Sequence, residues 1–368
     1  MAFQKPFLIW LSCIVIAAAQ EPAEPGLVIP PQIYVVPGVE THVVLRNAAL
    51  IPPGKNFEVI SCRCEVGELD ESGSKWVFNL SEDQTGNYPL VLESNLGSAK
   101  TMITVVSGAA GADRDISLLM VGDSLTNASI YPNEVARLLA EPGNPNWKML
   151  GTHQPRRALP GVFHEGYGGW TWNRFNTRWD PGSPQTGKTR SSPFLFLKGG
   201  KPQLDWNQYF DQYSDGVKPD FVTFLLGIND CFNADADDPE AIDERIDAVF
   251  SEAERLMAVL REASPETEVG ICLTPPGNDR DAAFLANYKD GRKRWRWRRI
   301  QFRLVDRQIS HFSGRKEERI FIVPTSAVID PITGYEADNG VHPNRQGYES
   351  IGREIYAWLK WRLASRPD

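Results

Sequence analysis

Residues 116–126 read ISLLMVGDSLT, an apolar run that ends in a glycine and two small polar residues. A near-continuous apolar run such as 116–121 is typical of a strand that is buried on both faces. Gly122 permits a sharp turn and leaves Ser124 directly after the carboxyl end of that strand. Ligands bind at this edge in doubly wound sheets. The stretch therefore predicts a parallel sheet with a serine at its functional edge.

The same kind of apolar run recurs along the chain and alternates with helical patterns. Further strands are predicted at 147–151, 221–226, 268–273 and 320–323. Helices are predicted at 132–139, 239–263, 282–311 and about 345–363. This alternation indicates an α/β fold, in which helices cover both faces of a parallel sheet. A stretch at about 170–216 interrupts the rhythm, and insertions of that length typically form substrate walls or lids.

Residues 25–107 have a different pattern, in which turn residues separate short β-rich runs. The predicted strands lie at 33–36, 42–45, 57–64, 75–80, 88–92 and 99–106. Their spacing predicts a small antiparallel sandwich. The stretch TGNY at 85–88 resembles the tyrosine corner of immunoglobulin-like folds, although Leu90 stands where an antibody domain has a cysteine. We expect a spacer or stabilising module, joined by a flexible linker at 108–113 to an α/β domain at 114–368.

Residues 1–19 have the pattern of a secretory signal peptide. Lys5 supplies a positive charge, residues 7–16 form a short apolar run, and three alanines at 17–19 offer a cleavage site. The alternative is a membrane anchor, but the run is shorter than the roughly 20 residues that cross a bilayer. We therefore predict a secreted or periplasmic protein without a membrane span. Export permits a Cys231–Cys272 disulfide, and the alternative is a pair of buried free thiols.

Composition excludes several other classes of protein. The 368 residues include 39 Lys and Arg against 47 Asp and Glu, a net charge of −8. This acidic balance argues against nucleic-acid binding. The basic run RKRWRWRR at 292–299 is interpreted as a solvated helix, with acidic polysaccharide as a further possible partner. The five histidines have no metal-ligand spacing, so no metal and no cofactor are expected.

Four short motifs carry the residues that chemistry requires. They are GDS at 122–124, HEGYGGW at 164–170, GIND at 227–230 and DNGVHPN at 338–344. The first three follow predicted strands, and the fourth precedes the last predicted helix. Each motif taken alone also fits a turn or a helix cap. Taken together they predict one constellation at the edge of the sheet.

This constellation meets the requirements of acyl transfer. A serine hydroxyl needs a base to accept its proton, and that base needs an orienting acid. Ser124, His342 and Asp338 are the candidates for these three roles. The tetrahedral oxyanion needs preorganised donors, and the N–H groups of Ser124 and Gly169 and the side-chain amide of Asn229 are the candidates.

The ordered motifs resemble the SGNH (GDSL) hydrolase superfamily over about 114–364. GDSLT at 122–126, GIND at 227–230 and HPN at 342–344 carry the resemblance. It implies a flavodoxin-like three-layer α/β/α fold, Ser124 as nucleophile, and His342 as base. The family acid usually lies three residues before the histidine, where this chain has Asn339. Asp338, Glu336 and Asp330 are therefore alternatives for the acid, as is a Ser–His dyad.

The inserted stretch bears on the substrate. Tryptophan rings offer flat faces on which sugars stack, and the alternative is that these rings pack the insertion onto the sheet. Candidate substrate contacts are Trp170, Trp172 and Asp230, and Trp179 and Trp206 lie in the same stretch. Polar residues surround these aromatic residues in the sequence. In this combination the inserted stretch resembles that of carbohydrate esterases. We expect an acylated, most often acetylated, carbohydrate as substrate; the alternatives are a lipid or long-chain ester and a non-catalytic carbohydrate-binding role.

Overall fold

The computed structural model describes residues 26–186 and 189–366. The predicted signal peptide at 1–19 lies outside the described residues. The described part of the chain forms a parallel sheet with helices and, before it, a region of short strands.

The central sheet is parallel, as predicted. In the order of the chain its strands are β8 (Asp115–Gly122), β9 (Asn146–Leu150), β10 (Glu165–Gly166), β13 (Phe221–Leu225), β14 (Glu268–Cys272) and β15 (Ile320–Val323). β8 lies between β13 on one side and β9 and β10, end to end, on the other. β14 and β15 follow β13 outward. Buried apolar side chains fill β8, β13, β14 and β15, because helices cover both faces of the sheet.

Helices connect the strands and confirm most of the predicted pattern. They are α1 (Ser124–Asn127), α2 (Ile130–Leu139), α3 (Trp172–Thr177), α4 (Trp206–Tyr213), α5 (Ile228–Cys231), α6 (Pro239–Ala263), α7 (Asp281–Tyr288), α8 (Lys293–Phe312) and α9 (Arg345–Ser365). The single helix predicted at 282–311 is wrong, because two helices occupy that span. Lys289 ends α7 in a left-handed conformation, with φ of 61°, and Gly291 and Arg292 then form a turn.

The inserted stretch holds α3, α4 and a small hairpin of β11 (Leu195–Lys198) and β12 (Lys201–Leu204). Several of its aromatic residues are buried, among them Phe175, Phe194 and Trp206. Phe194 stacks on Trp206 with ring centroids 3.9 Å apart, and Phe175 lies 5.6 Å from Phe194. The insertion therefore has an aromatic cluster of its own.

The region before residue 106 forms two small sheets, which share one hydrophobic cluster that includes Ile33, Trp76 and Leu90. We call it the N-terminal β region. One sheet holds β1 (Gln32–Val35), β7 (Gly97–Val105), β6 (Gly86–Ser94) and β3 (Val59–Arg63), and the other holds β2 (Thr41–Val44), β5 (Lys75–Phe78) and β4 (Glu68–Leu69). The pairing is antiparallel except between β1 and β7. The immunoglobulin-like character remains a prediction.

The N-terminal β region packs directly on the α/β domain. Tyr34 stacks on Trp361 of α9 with ring centroids 4.6 Å apart. Lys75 forms a salt bridge of 2.9 Å with Asp330. In the predicted linker, a Cβ at Gly111 would lie 2.8 Å from the Leu363 side chain, so the chain there lies close against α9. At Gly111 the predicted linker therefore contacts α9, and the flexibility of the joint stays a prediction.

The cysteines of the α/β domain are not joined. Cys231 and Cys272 are both buried and both free. Of the two possibilities that the sequence leaves open, the structure has the buried free thiols.

Candidate active site

Three strands end at one place on the sheet. β10 pairs with the end of β8 so that Gly166 lies beside Gly122, and β13 pairs on the other side so that Leu225 also lies beside Gly122. The turns that follow β8, β10 and β13 carry the first three sequence motifs. Parallel pairing therefore brings residues about 40 to 100 positions apart in the chain to a single edge, as expected for a doubly wound sheet.

The turn after β8 presents Ser124 at the first position of α1. The Asp123 carboxylate caps this short helix, because its Oδ1 accepts a hydrogen bond of 2.9 Å from the N–H of Leu125. Gly122 is required by close packing, since a Cβ there would lie 1.9 Å from Oγ1 of Thr126. Ser124 itself is half-buried, so its hydroxyl remains accessible from the crevice.

His342 lies within hydrogen-bond distance of the serine. Its Nε2 is 2.9 Å from Oγ of Ser124, although the two residues are 218 positions apart in the sequence. Burial lowers the pKa of the His342 imidazole below its usual value of 6.5. The ring is therefore held mainly in the neutral form at pH 7, the form in which Nε2 accepts a proton.

The group beside the other ring nitrogen is an amide. Oδ1 of Asn339 lies 3.2 Å from Nδ1 of His342, and it also accepts a hydrogen bond of 3.0 Å from the His342 backbone N–H. Among the described residues no hydrogen bond or ion pair joins Asp338 or Glu336 to the imidazole, and both side chains are exposed. Asp330 is occupied elsewhere, because it pairs with Lys75 of the N-terminal β region. The structure thus places Asn339, and not one of the three candidate acids, next to His342.

Asn278 holds the loop that carries Asn339 and His342 in place through hydrogen bonds to the backbone of the loop. The Asn278 side-chain amide donates to the carbonyls of Glu336 and Asn339 at 2.8 and 3.0 Å, and its backbone N–H donates to the carbonyl of Gly340 at 2.8 Å. Asn278 is buried, with 1% of its surface exposed. We call residues 336–342 the histidine loop. No motif in the sequence pointed to Asn278, because its function is to anchor a segment about 60 residues away.

Two backbone N–H groups at the edge of the sheet have no acceptor. The N–H groups of Ser124 and Gly169 make no hydrogen bond within the described part of the chain. Gly169 has φ of 77°, in the left-handed region that favours glycine. The Arg174 guanidinium donates to the carbonyl of Gly169 and so fixes the orientation of this turn.

The side-chain amide of Asn229 links the three turns. Its Nδ2 donates to Oδ2 of Asp123 at 3.0 Å and to the carbonyl of Trp170 at 3.1 Å. Both amide hydrogens therefore have acceptors, and an oxyanion receives one of them only by sharing or replacing a present partner. Asn229 thus also has a structural role that the sequence did not indicate.

Two carboxyl groups beside this amide are unusually hard to ionise. Burial raises the pKa of Asp123 to about 7, and the nearby Asp230 carboxylate adds to the shift. Burial likewise raises the pKa of Asp230 to about 7. Asp230 accepts a hydrogen bond of 3.1 Å from the N–H of Trp172, and its Oδ2 is buried with no partner in the described part of the chain. Asp230 therefore holds the start of α3, and the substrate contact predicted for it stays a prediction.

The predicted tryptophan contacts are also corrected. Trp170 is fully buried against Tyr167 and Phe175, with ring centroids 4.7 and 4.8 Å away. Trp172 is 4% exposed and packs 4.8 Å from Phe224 of β13. These rings attach the insertion to the sheet, which was the alternative interpretation, and they offer no open face to a sugar. Trp206 is buried as well, and Trp179 is half-buried.

Within residues 26–186 and 189–366, no group of three or more His, Cys, Asp or Glu side chains is arranged to hold a metal ion. Over the same residues no helix is long and apolar enough to cross a membrane.

Comparison with known proteins adds the family. The family model described as "GDSL-like Lipase/Acylhydrolase" matches residues 118–355, and these residues contain all four motifs. No curated protein matches the chain. A family 3 carbohydrate esterase of Clostridium thermocellum is similar in structure over 68% of this chain and 98% of its own, with 17% identity and a TM-score of 0.43. A family 3 carbohydrate esterase of Talaromyces cellulolyticus is similar over 68% of this chain and 100% of its own, with 18% identity and a TM-score of 0.41.

The family match covers more than half of the chain and spans the sheet, the GDS turn and the histidine loop. The chain therefore belongs to the GDSL-like lipase/acylhydrolase (SGNH) family and is a carboxylic ester hydrolase.

Proposed function

We propose that this protein is a secreted esterase that removes small acyl groups, above all acetyl, from carbohydrate. Ser124 is the nucleophile and His342 is the general base. The observation that carries the proposal is the distance of 2.9 Å between Oγ of Ser124 and Nε2 of His342. A nucleophile within hydrogen-bond reach of a neutral imidazole is the arrangement that activates a serine hydroxyl.

The reaction proceeds in two halves. Oγ of Ser124 attacks the ester carbonyl carbon while Nε2 of His342 accepts the hydroxyl proton. The resulting imidazolium then gives this proton to the departing sugar oxygen, which leaves an acyl group on Ser124. In the second half a water molecule attacks the acyl carbon, His342 takes its proton, and the carboxylic acid leaves as the proton returns to Ser124.

Asn339 sets the tautomer of the base. Because Nε2 accepts from the serine, Nδ1 carries the proton and donates it to Oδ1 of Asn339. An amide oxygen is neutral, so it orients the ring without the charge that a carboxylate contributes to the imidazolium. We therefore propose a Ser–His pair with an orienting asparagine, in place of the Ser–His–Asp triad expected with Asp338.

The oxyanion is stabilised at the edge of the sheet. Within the described residues the N–H groups of Ser124 and Gly169 are unpaired donors there, and the Asn229 amide is a third donor once it shares one hydrogen with the substrate. Loss of one such donor costs about 2.7–4 kcal/mol of transition-state stabilisation in serine hydrolases. These donors act on any ester, so they do not by themselves select the acyl group.

The surface of the α/β domain favours, as substrate, an ester of a short acyl group with a polar alcohol. A long-chain substrate needs a contiguous apolar surface. The large hydrophobic side chains that are exposed in the described residues lie on separate elements, and in the inserted stretch they are Leu197 and Tyr213. The predicted signal peptide at 1–19 supports export from the cell. Polymeric carbohydrate is a substrate that an exported enzyme encounters.

A panel of acetylated polysaccharides, assayed for released acetate, tests this proposal. We expect acetate release by the wild type and its loss, by at least about 10³-fold, in Ser124→Ala and His342→Ala. A series of p-nitrophenyl esters from C2 to C12 serves as the second arm, and activity falling with chain length is expected. Activity that rises steeply toward C12, with no acetate released from any polysaccharide, would indicate a lipid esterase and contradict the proposal.

A further inference from the structure

A cavity of about 230 Å³ lies between the N-terminal β region and the α/β domain, next to the histidine loop. We call it the interdomain cavity and define it by six of its lining residues: Arg46, Lys55, Asn278, Asp279, Arg294 and Arg298. Arg46 and Lys55 come from the N-terminal β region, and the other four from the α/β domain. Neither part of the chain forms this cavity alone.

The cavity is positively charged, although the protein as a whole carries a net charge of −8. Four of the lining side chains are cationic, and Asp279 is the carboxylate among the residues that line it. Asp279 is shared, since it pairs with both Arg46 and Arg294, and Arg294 also pairs with Asp281, which does not line the cavity. The cavity wall therefore retains an excess of positive charge, which attracts anions.

Arg298 contributes to that excess. Its guanidinium donates to the backbone carbonyls of Asn47 and Ala49 at 2.9 and 2.8 Å and to the side-chain oxygen of Gln301. These acceptors are neutral, whereas the neighbouring Arg294 and Arg299 pair with carboxylates. Burial lowers the pKa of Arg298 to about 10, so the group still carries its charge at neutral pH.

The cavity adjoins the histidine loop. Asn278 lines the cavity and at the same time holds the carbonyls of Glu336, Asn339 and Gly340. Gly277 lies between the two, because a Cβ there would lie 2.7 Å from the ring of Trp297 and 3.0 Å from the carbonyl of Gly340. A group bound in the cavity is thus one residue layer from the loop that carries His342.

We infer that the interdomain cavity binds the carboxylate of a uronic-acid unit in the acylated saccharide, so that the N-terminal β region contributes to substrate selection. This inference rests on the proposed function. Pockets for drug-sized ligands measure about 300–1,000 Å³, so the smaller interdomain cavity suits one charged sugar unit. Arginine recognises carboxylate through paired N–H donors, and Lys55 is exposed at the rim, with no partner among the described residues.

Isothermal titration calorimetry on the full chain tests the inference without catalysis. The probe is a non-acetylated oligogalacturonate, compared with a neutral xylo-oligosaccharide of equal length and with inorganic sulfate. We expect the uronate to bind more tightly than the neutral oligosaccharide and than sulfate, and its affinity to fall with added salt. Equal affinity for charged and neutral oligosaccharides would overturn the inference, and so would sulfate binding as tight as that of the uronate, which would indicate a site for free inorganic anions.

Matched variants locate the binding. Lys55→Glu reverses a charge at the cavity rim, and we expect it to weaken uronate binding about fivefold or more. Lys100→Glu makes the same change at an exposed position of β7 and should leave both uronate affinity and p-nitrophenyl acetate hydrolysis unchanged. Arg46→Gln is a second cavity variant, and it should weaken uronate binding as Lys55→Glu does. If Lys55→Glu binds uronate as tightly as Lys100→Glu and the wild type do, the interdomain cavity is not the uronate site.

The two proposals fail separately. A wild-type protein that binds uronate but releases no acetate from polysaccharides contradicts the proposed function and leaves the anion site in place. A protein that releases acetate but binds charged and neutral oligosaccharides with equal affinity contradicts the inference and leaves the proposed esterase function in place.

Discussion

Oδ1 of Asn339 lies 3.2 Å from Nδ1 of His342, at the ring nitrogen that does not face Ser124. The same oxygen accepts the backbone N–H groups of Val341 and His342 at 3.3 and 3.0 Å. Asn339 therefore shapes the histidine loop and orients the imidazole at the same time. Its amide oxygen orients the imidazole but, unlike a carboxylate, carries no charge.

Replacing Asn339 by aspartate restores a carboxylate at this position without changing its size. Because a negative charge stabilises the imidazolium that forms during attack, we expect kcat for p-nitrophenyl acetate to rise about tenfold in Asn339→Asp. Asn339→Ala removes the acceptor, and kcat should fall about tenfold or more with little change in KM. Asp338→Asn is the control and should retain activity within about twofold. A loss in Asp338→Asn as large as in Asn339→Ala would show that Asp338 is the true partner of His342.

The acid limb of the pH profile reports the base. Burial lowers the pKa of His342 below 6.5, and the imidazole acts only in its neutral form. Activity therefore persists to a lower pH than for an ordinary histidine, and we expect the midpoint of the acid limb of kcat/KM below 6.5. In Asn339→Asp the added negative charge favours the imidazolium, so the midpoint should move upward by about one unit. An acid limb above 6.5 in the wild type, or one that Asn339→Asp leaves in place, contradicts this assignment.

Arg174 is a positioning residue for the oxyanion site, because its guanidinium donates to the carbonyl of Gly169. Arg174→Met frees the Gly169 turn, and we expect kcat to fall about tenfold with KM nearly unchanged. Arg174→Lys keeps a donor and should recover part of the loss. The control is Arg137→Met on α2, which should have wild-type kinetics. A change confined to KM in Arg174→Met would mean that Arg174 binds substrate instead.

Asp230 makes folding stability depend on pH. Burial raises its pKa from 3.8 to about 7, so the folded protein holds this proton more tightly than the unfolded chain does. The stability from this group is complete below pH 3.8 and is lost as the pH rises toward 7. Asp230→Asn removes that loss, so its Tm should exceed that of the wild type by about 2–4 °C at pH 8 and by little near pH 4. Differential scanning calorimetry checks this, with the exposed Asp211→Asn as control. An equal gain at both pH values would assign the effect to packing and not to titration.

Much of the α/β domain could be predicted because its strands are long enough to show an apolar run. β8, β13 and β14 are buried on both faces and stand out in the sequence. β10 was missed because its two residues, Glu165 and Gly166, have no such pattern and are strand only by pairing with β8. The break between α7 and α8 was missed because helical periodicity continues across Asp290 and Gly291, while the chain turns at Lys289.

The site could be predicted less completely, for a related reason. Ser124, Gly169, Asn229 and His342 lie in recognisable motifs at the ends of elements. The partner of Nδ1 depends on the path of one loop, so a carboxylate at 338 could not be ranked against an amide at 339 from spacing alone. Trp170 and Trp172 look the same in the sequence whether they stack on a sugar or on Tyr167 and Phe224. Burial decides between these interpretations, and burial is a property of the folded chain.

Covalent labelling with a fluorophosphonate, followed by intact mass measurement and peptide mapping, tests most directly that Ser124 is activated by His342. We expect one adduct per chain on Ser124 in the folded wild type, none in Ser124→Ala, and labelling slowed by at least about 10³-fold in His342→Ala. No adduct on the folded wild-type protein, or equal labelling of Ser124→Ala, would contradict the activation of Ser124 by His342.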